Sequence, residues 1–284
     1  VKNSDITDPL FREAVEAIDA GNLPVLQQLL ETNPQLVRKR LDYPAEGYFK
    51  NPYLLWFIAD NPIRQEKLPP NIGEITGLLI KLVRQNAKES FQEQMDYALA
   101  LVETGRIPRE CGVQIDLIDL LIDNGATPGN AQGALANGNM EAAKHIIDRS
   151  GNLTLTAAVC LDWTDDVKRL LPETLIDDKQ VALIAAAFYG KPKTIALLMA
   201  SGVDVNAYIK NGFHTHASPL HQAVSSGSLD AVKILVEAGA NLDATDKIYN
   251  GTPLGWAIYM RTENNDENIR KKYADIETYL LSKQ

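Results

Sequence analysis

The stretch Ser218-Pro-Leu-His-Gln-Ala223, which runs through Ser226-Gly227 into Leu229 to Ala244 (LDAVKILVEAGANLDA), decides the fold. Ser218 is placed to cap a helix: its side-chain oxygen accepts a backbone N–H that the first turn leaves unpaired. Pro219 at the first helical position gives up an N–H that would have had no partner there. Leu220, Ala223 and Val224 form an apolar stripe, and the small Ala223 lets a second helix come close. Gly227 suits the left-handed residue that ends a helix. Val232, Leu235 and Val236 then recur at helical spacing, and Gly239 ends that helix in turn. The opening returns as Thr252-Pro-Leu-Gly-Trp-Ala257, and the close as Ile195 to Ala207 (IALLMASGVDVNA). A single helix pair cannot bury its apolar faces alone, so such copies stack on one another.

Upstream the rhythm of helix pairs survives while the motif fades. Ala134 to Ile147 (ALANGNMEAAKHII) turns at Asn137-Gly138-Asn139, and Ala157 to Leu171 turns at Asp162-Trp163-Thr164. The interval between these turns is shorter than that from Gly190 to Gly227, which predicts a tight loop there. Ile115 to Ala126 reads as a second helix preceded by a first near Gln92 to Thr104, and Ile75 to Ala87 as one paired with Leu54 to Asp60. Leu10 to Leu30 is the N-terminal pair, turning at Ala20-Gly21-Asn22, with Arg12, Glu13, Glu16 and Asp19 free to face water. Ile269 to Ser282 supplies the last helix. Three insertions interrupt the rhythm, at Arg38 to Asn51, Asn61 to Asn71 and Arg261 to Asn268. The aromatic first one (Tyr43, Pro44, Tyr48, Phe49) reads as a lid over the stack, with a contact loop as the competing reading; the prolines of the second exclude a helix.

Ser218 to Ala244, with its echoes at Thr252 and Ile195, resembles an ankyrin repeat, and the likeness is closest from about Lys179 onward. The resemblance implies an all-α solenoid of about eight helix pairs, with short β-hairpin fingers mainly in the C-terminal half. Residues 1–284 are then one domain: 1–127 divergent repeats with insertions, 128–178 short repeats, 179–284 well-matched repeats and a cap. Asn211-Gly212 and Asn250-Gly251 are expected at the finger tips, because both central residues of a type I′ turn need positive φ. The family uses the histidine at the position of His221 structurally, to link neighbouring loops.

Composition narrows the function. A net charge of −9 is the wrong sign for a phosphate backbone, so no nucleic-acid partner is expected. The longest apolar run, Val181 to Tyr189, is too short to span a bilayer. Cys111 and Cys160 are the only cysteines and form neither a disulfide framework nor a paired zinc motif. Cytoplasm is the expected compartment, with a periplasmic or exported origin left open because the chain starts at Val1.

No enzyme motif is present: no Gly-x-Ser-x-Gly elbow, no His-Glu-x-x-His helix and no phosphate loop. Carboxylates such as Asp162, Asp165, Asp166, Asp177 and Asp178 sit at turns and helix starts, where capping explains them. Cys160, beside Ala157, Ala158 and Val159, reads as an inert core thiol. His214 and His216 would share one face of a strand, but a two-residue pair falls short of a zinc site, so finger contacts are the favoured reading. No catalytic residue, metal or cofactor is expected.

The family typically binds partners through a concave face of finger tips and exposed first-helix ends. That places partner contacts at Tyr208, Phe213, His214, His216 and Tyr249 on the fingers, among Ile209, Lys210, Asn211, Asp246, Lys247 and Ile248. Phe188, Tyr189, Ser225, Ser226, Tyr259 and Met260 lie just before helix ends, and Trp163 at a turn. The expected function is a non-catalytic protein-interaction module, monomeric, binding another protein. Finger aromatics packing on neighbouring fingers is the competing structural reading. An alternative function is a small-molecule or metal-dependent site in the N-terminal half, around Tyr43 to Phe49, Tyr53, Trp56 and Phe57. A filled aromatic cluster would remove it. Self-association through an end of the stack is a third.

Overall fold

The computed structural model describes residues 1–44, 47–59 and 66–284. Two compact units divide the chain, residues 1–151 and 152–284. Both are helical.

In the first unit, α1 (Pro9–Asp19) pairs with α2 (Leu23–Thr32). Asp8 caps α1 by accepting from the N–H groups of Leu10 and Phe11, both at 3.0 Å. Leu54–Ala59 follows as a 3-10 helix beside α3 (Ile72–Asn86). All six of its residues are buried, so it has no wet face to set an α-helical stripe, and tertiary packing dictates its form. Next come α4 (Phe91–Thr104), a one-turn α5 (Arg106–Glu110) absent from the sequence expectation, and α6 (Gln114–Asp123). The buried Gln114 amide donates to the carbonyls of Val102 and Glu103 at 2.9 and 3.2 Å, satisfying groups that the end of α4 leaves open. Finally α7 (Gln132–Ala136) packs on α8 (Met140–Ser150).

The second unit begins after the tight loop that the spacing predicts, and consists of α9 (Leu155–Cys160), α10 (Thr164–Leu170), α11 (Ile176–Phe188), α12 (Pro192–Met199), α13 (Pro219–Ser225), α14 (Leu229–Glu237), α15 (Pro253–Glu263) and α16 (Glu267–Leu281). The first helices α9, α11, α13 and α15 pack in series, each against its own second helix. Alanine makes the close approach feasible: Ala158, Ala182, Ala186, Ala187, Ala223, Ala231 and Ala257 are all fully buried. Thr154, Ser218, Ser228, Thr252 and Asp266 each accept N–H groups of the helix that follows. Between α11 and α12 stands Gly190 at φ +57°, where an added Cβ would meet the Ser228 side chain at 2.8 Å. Asp162 takes the same left-handed position between α9 and α10 at φ 64°, a tolerable departure because a short polar side chain visits that region more readily than most.

Three expectations need correction. The fingers are not β-hairpins: among the described residues there is no strand, and the one β pairing is an isolated antiparallel bridge between Arg40 and Tyr53. Their tips are not type I′ turns, since Gly212 has positive φ without Asn211, and Asn250 without Gly251. Loops 204–217 and 241–252 are held by side chains rather than by a ladder, as the site below shows. The third insertion nearly vanishes, because α15 continues to Glu263 and α16 starts at Glu267, leaving three loop residues. Of the second insertion, residues 61–65 lie outside the described residues, as does Asp60; Glu66 to Asn71 are non-helical.

Candidate functional site

The loop before α13 and the end of α11 bring most of the nominated residues together in a run of touching rings. Phe188 meets Tyr189 at 5.0 Å between centroids, Phe213 at 5.5 Å and His214 at 4.4 Å. His214 continues to His216 at 5.9 Å, and His216 stacks on Trp256 of α15 at 6.1 Å. Edge-to-face and stacked ring contacts add to the gain from burial. Phe213 is fully buried and Ile209 nearly so, which corrects the expectation that they contact a partner directly. Phe188, Tyr189, His214, His216 and Tyr208 are half-buried.

Neighbouring loops hold one another. Tyr208 Oη donates to Thr245 O at 2.7 Å, and Lys247 Nζ lies 4.9 Å from the centre of the Tyr208 ring. The Lys247 backbone N–H donates to His216 O at 2.8 Å and its Nζ to Thr215 O at 3.1 Å. Tyr208 and Phe213 thus follow the structural reading of the finger aromatics. Ser225 O accepts from Tyr273 Oη of α16 at 2.9 Å, and Ser226 Oγ donates locally to Ala223 O at 2.6 Å. Half-buried Trp163 packs on the core of its unit.

Two buried side chains fix the next loop. His221 Nε2 lies 2.9 Å from Gly251 O, to which it can only donate, and its Nδ1 lies 2.7 Å from Ser218 Oγ, which donates to Nδ1 when the ring is neutral. Burial lowers its pKa, against the opposing hydrogen bond to Gly251. Asp246 is buried, which by itself would raise its pKa. Four donors overcome that: the N–H groups of Tyr249 (2.7 Å), Ile248 (2.9 Å) and Gly251 (2.8 Å), and Trp256 Nε1 (3.0 Å). The carboxyl is held well below the usual range. Gly251 is tightly enclosed, since a Cβ there would meet Asp246 Oδ2 and Trp256 Cδ1, both at 3.1 Å, and one of them would have to give way.

That lock leaves an open groove of about 490 Å³ lined by Tyr249, Gly251, Gly255, Trp256, Tyr259 and Met260. Tyr249 is 79% exposed and Tyr259 61%. Of the nominated aromatic residues these two are the exposed ones. Sequence reasoning quoted Asp246 and Trp256 without seeing their roles. The signal was present: an aspartate two to five residues ahead of Ile-Tyr-Asn-Gly is the pattern of a side chain that closes its own turn.

Elsewhere the alternatives lose ground. In the first unit the aromatic residues fill one another's space: Phe49 packs on Phe57 at 5.2 Å, Phe57 on Phe11 at 5.7 Å, and Tyr53 on Trp56 at 5.3 Å. Arg40 lies over Tyr53 at 4.3 Å and pairs with Glu93, while Tyr97 Oη donates to Tyr48 O. The insertion is thereby tied down as a lid. Among the described residues no cluster of three or more His, Cys, Asp or Glu side chains is arranged for a metal. Burial pushes the Cys160 thiol up to about 12, which leaves it unreactive, and pushes the Glu103 carboxyl up to about 7.

Comparison with known proteins agrees with the geometry. Residues 110–246 match the family model for ankyrin repeats, in three copies; the match begins upstream of Lys179, where the closest likeness was expected to start, and stops before Thr252. The human transient receptor potential cation channel subfamily A member 1 is 25% identical over 209 residues, covering 60% of this chain. The chain spans 17% of that protein's length. No helix among the described residues is long and apolar enough to cross a membrane.

Proposed function

We propose that this chain is a non-catalytic module that binds another protein through the loops and first-helix ends of its second unit. The carrying observation is the pair Tyr249 and Tyr259, two large rings left in water beside an apolar groove. Tyrosine concentrates at interface hot spots because it buries much area while keeping a polar handle. The scaffold's locked loops lower the ordering cost of association. In this reading residues 1–284 act as one domain of eight helix pairs, monomeric and cytoplasmic, with Phe188, Tyr189, His214, His216, Tyr208 and Ser225 at the margin of the contact and Phe213 supporting it from beneath. Ankyrin repeats in general mediate protein–protein contacts, which supports the class of function; the cation channel likeness lends support to the repeat array alone.

Affinity capture from the source organism's lysate, with wild type and the double variant Tyr249→Ala/Tyr259→Ala, tests this. The expected result is a protein retained by wild type and lost by the variant. Equal retention by both would move the contact elsewhere, and retention of nothing by either would count against the reading.

A further inference from the structure

We infer that Asn211 is a site of spontaneous modification: its side-chain amide is lost through a cyclic imide with Gly212, leaving aspartate and isoaspartate, while the other Asn-Gly pairs of this chain are held against the same reaction. The product alters the loop that carries His214 and His216, and the chemistry does not depend on what that loop binds.

Asparagine ahead of glycine is reactive because no Cβ shields the following peptide nitrogen, and the glycine backbone reaches unusual torsions at little cost. The Gly212 nitrogen attacks Asn211 Cγ, a new N–Cγ bond replaces the Cγ–Nδ2 bond, and the peptide proton departs with Nδ2 as ammonia. Water then opens the imide ring at either carbonyl. Cleavage of the new N–Cγ bond gives aspartate. Cleavage at the original peptide carbonyl gives isoaspartate, whose main chain runs through Cβ and Cγ. The first step needs a peptide N–H that is not already donating and an asparagine side chain free to turn.

Four Asn-Gly pairs occur, at residues 124–125, 137–138, 211–212 and 250–251. In three of them the attacking N–H is occupied: Gly125 N donates to Ile122 O at 3.0 Å, Gly138 N to Leu135 O at 3.2 Å, and Gly251 N to Asp246 Oδ2 at 2.8 Å. Two also hold the departing amide, Asn124 Nδ2 donating to Leu120 O at 2.8 Å and Asn137 Nδ2 to Gly133 O at 2.9 Å. The pair at 211–212 has neither restraint. Both residues are exposed, and among the described residues neither the Gly212 N–H nor the Asn211 side chain makes a hydrogen bond. Exposure alone does not set the pair apart, because Asn137 and Gly138 are exposed too. Isoaspartate at 211 would lengthen the main chain just ahead of buried Phe213, which packs on Phe188. Either product adds a negative charge to a chain already at −9.

The test is peptide mapping by mass spectrometry of the full chain aged at mildly alkaline pH, folded in buffer and unfolded in urea. The unfolded chain should convert at all four pairs. Relative to those unfolded rates, the folded chain should convert Asn211 at least ~5-fold faster than Asn124, Asn137 or Asn250, the factor that one retained hydrogen bond imposes. Part of the product should be isoaspartate, recognised because a protease that cuts before aspartate leaves it intact. On isoelectric focusing, aged wild type should gain an acidic species that Asn211→Gln, a change at an exposed side chain without hydrogen bonds, does not. Conversion of another pair as fast as Asn211 in the folded chain would overturn the inference. So would an intact Asn211 in folded protein that reacts once unfolded, a product free of isoaspartate, or acidification of Asn211→Gln at the wild-type rate.

Discussion

Phe213 and Tyr249 stand in the loops ahead of successive Ser/Thr-Pro-Leu caps, at different distances from Ser218 and Thr252, and one is fully buried while the other is 79% exposed. The cause lies at the end of the preceding first helix. Phe188, two residues before Gly190, offers Phe213 a ring to pack on. Its counterpart two residues before Gly227 is Ser225, which offers none. The same contrast recurs at the caps, where His221 fills a site that Gly255 leaves open. Two repeats built on one pattern therefore differ in what they present: the first is closed on itself, the second open.

The largest effect should come from breaking the closed member. Phe213→Ala leaves a cavity under α11 and is expected to cost about 3–5 kcal/mol in denaturant unfolding. Asp246→Asn replaces a charged acceptor of four donors with an amide that must point its N–H₂ at one of them; about 2 kcal/mol should be lost. His221→Gln, which cannot hold both Ser218 and Gly251, should cost about 1 kcal/mol at pH 8.

The pH dependence of these losses has a definite sign. His221 has a lowered pKa, so below about 6.5 the unfolded chain takes a proton that the folded one resists, and stability falls as pH falls. Asp246, also lowered, adds stability above the ordinary carboxylate range that is lost as pH drops through and below about 4. His221→Gln should flatten the stability profile just below pH 7, and Asp246→Asn its acid end. Urea midpoints across pH check both.

On the open member the effects shrink and change sign. Gly255→Ala should raise stability by about 0.5 kcal/mol or less, because the first turn of α15 gains a side chain with room to sit and the unfolded chain loses freedom. Tyr249→Ala should stay within about 0.5 kcal/mol of wild type in thermal unfolding. A loss of several kcal/mol there would mean that the ring is packed, and the contrast would collapse.

Much of this was legible in the sequence. The Ser/Thr-Pro-Leu caps and the turn glycines sit where local chemistry puts them, because capping and positive φ depend on a few adjacent residues. His221 was read correctly as a link between loops. What sequence reading missed was longer in range. The β-hairpins expected from Asn-Gly pairs gave way to loops organised around the Asp246 carboxylate and the Phe188–Phe213 contact, which depend on residues far apart in the chain. Leu54–Ala59 became a 3-10 helix because it is buried on every side. Burial of Phe213 is not readable from the motif, since Phe188 decides it from another helix.

The most direct measurement is the affinity of the captured partner for wild type and for Tyr249→Ala/Tyr259→Ala, with thermal midpoints recorded on the same samples. Affinity should fall by about 30-fold or more, corresponding to about 2 kcal/mol, with the midpoint unchanged. Unchanged affinity in a folded double variant would contradict the assignment of the open repeat as the binding surface.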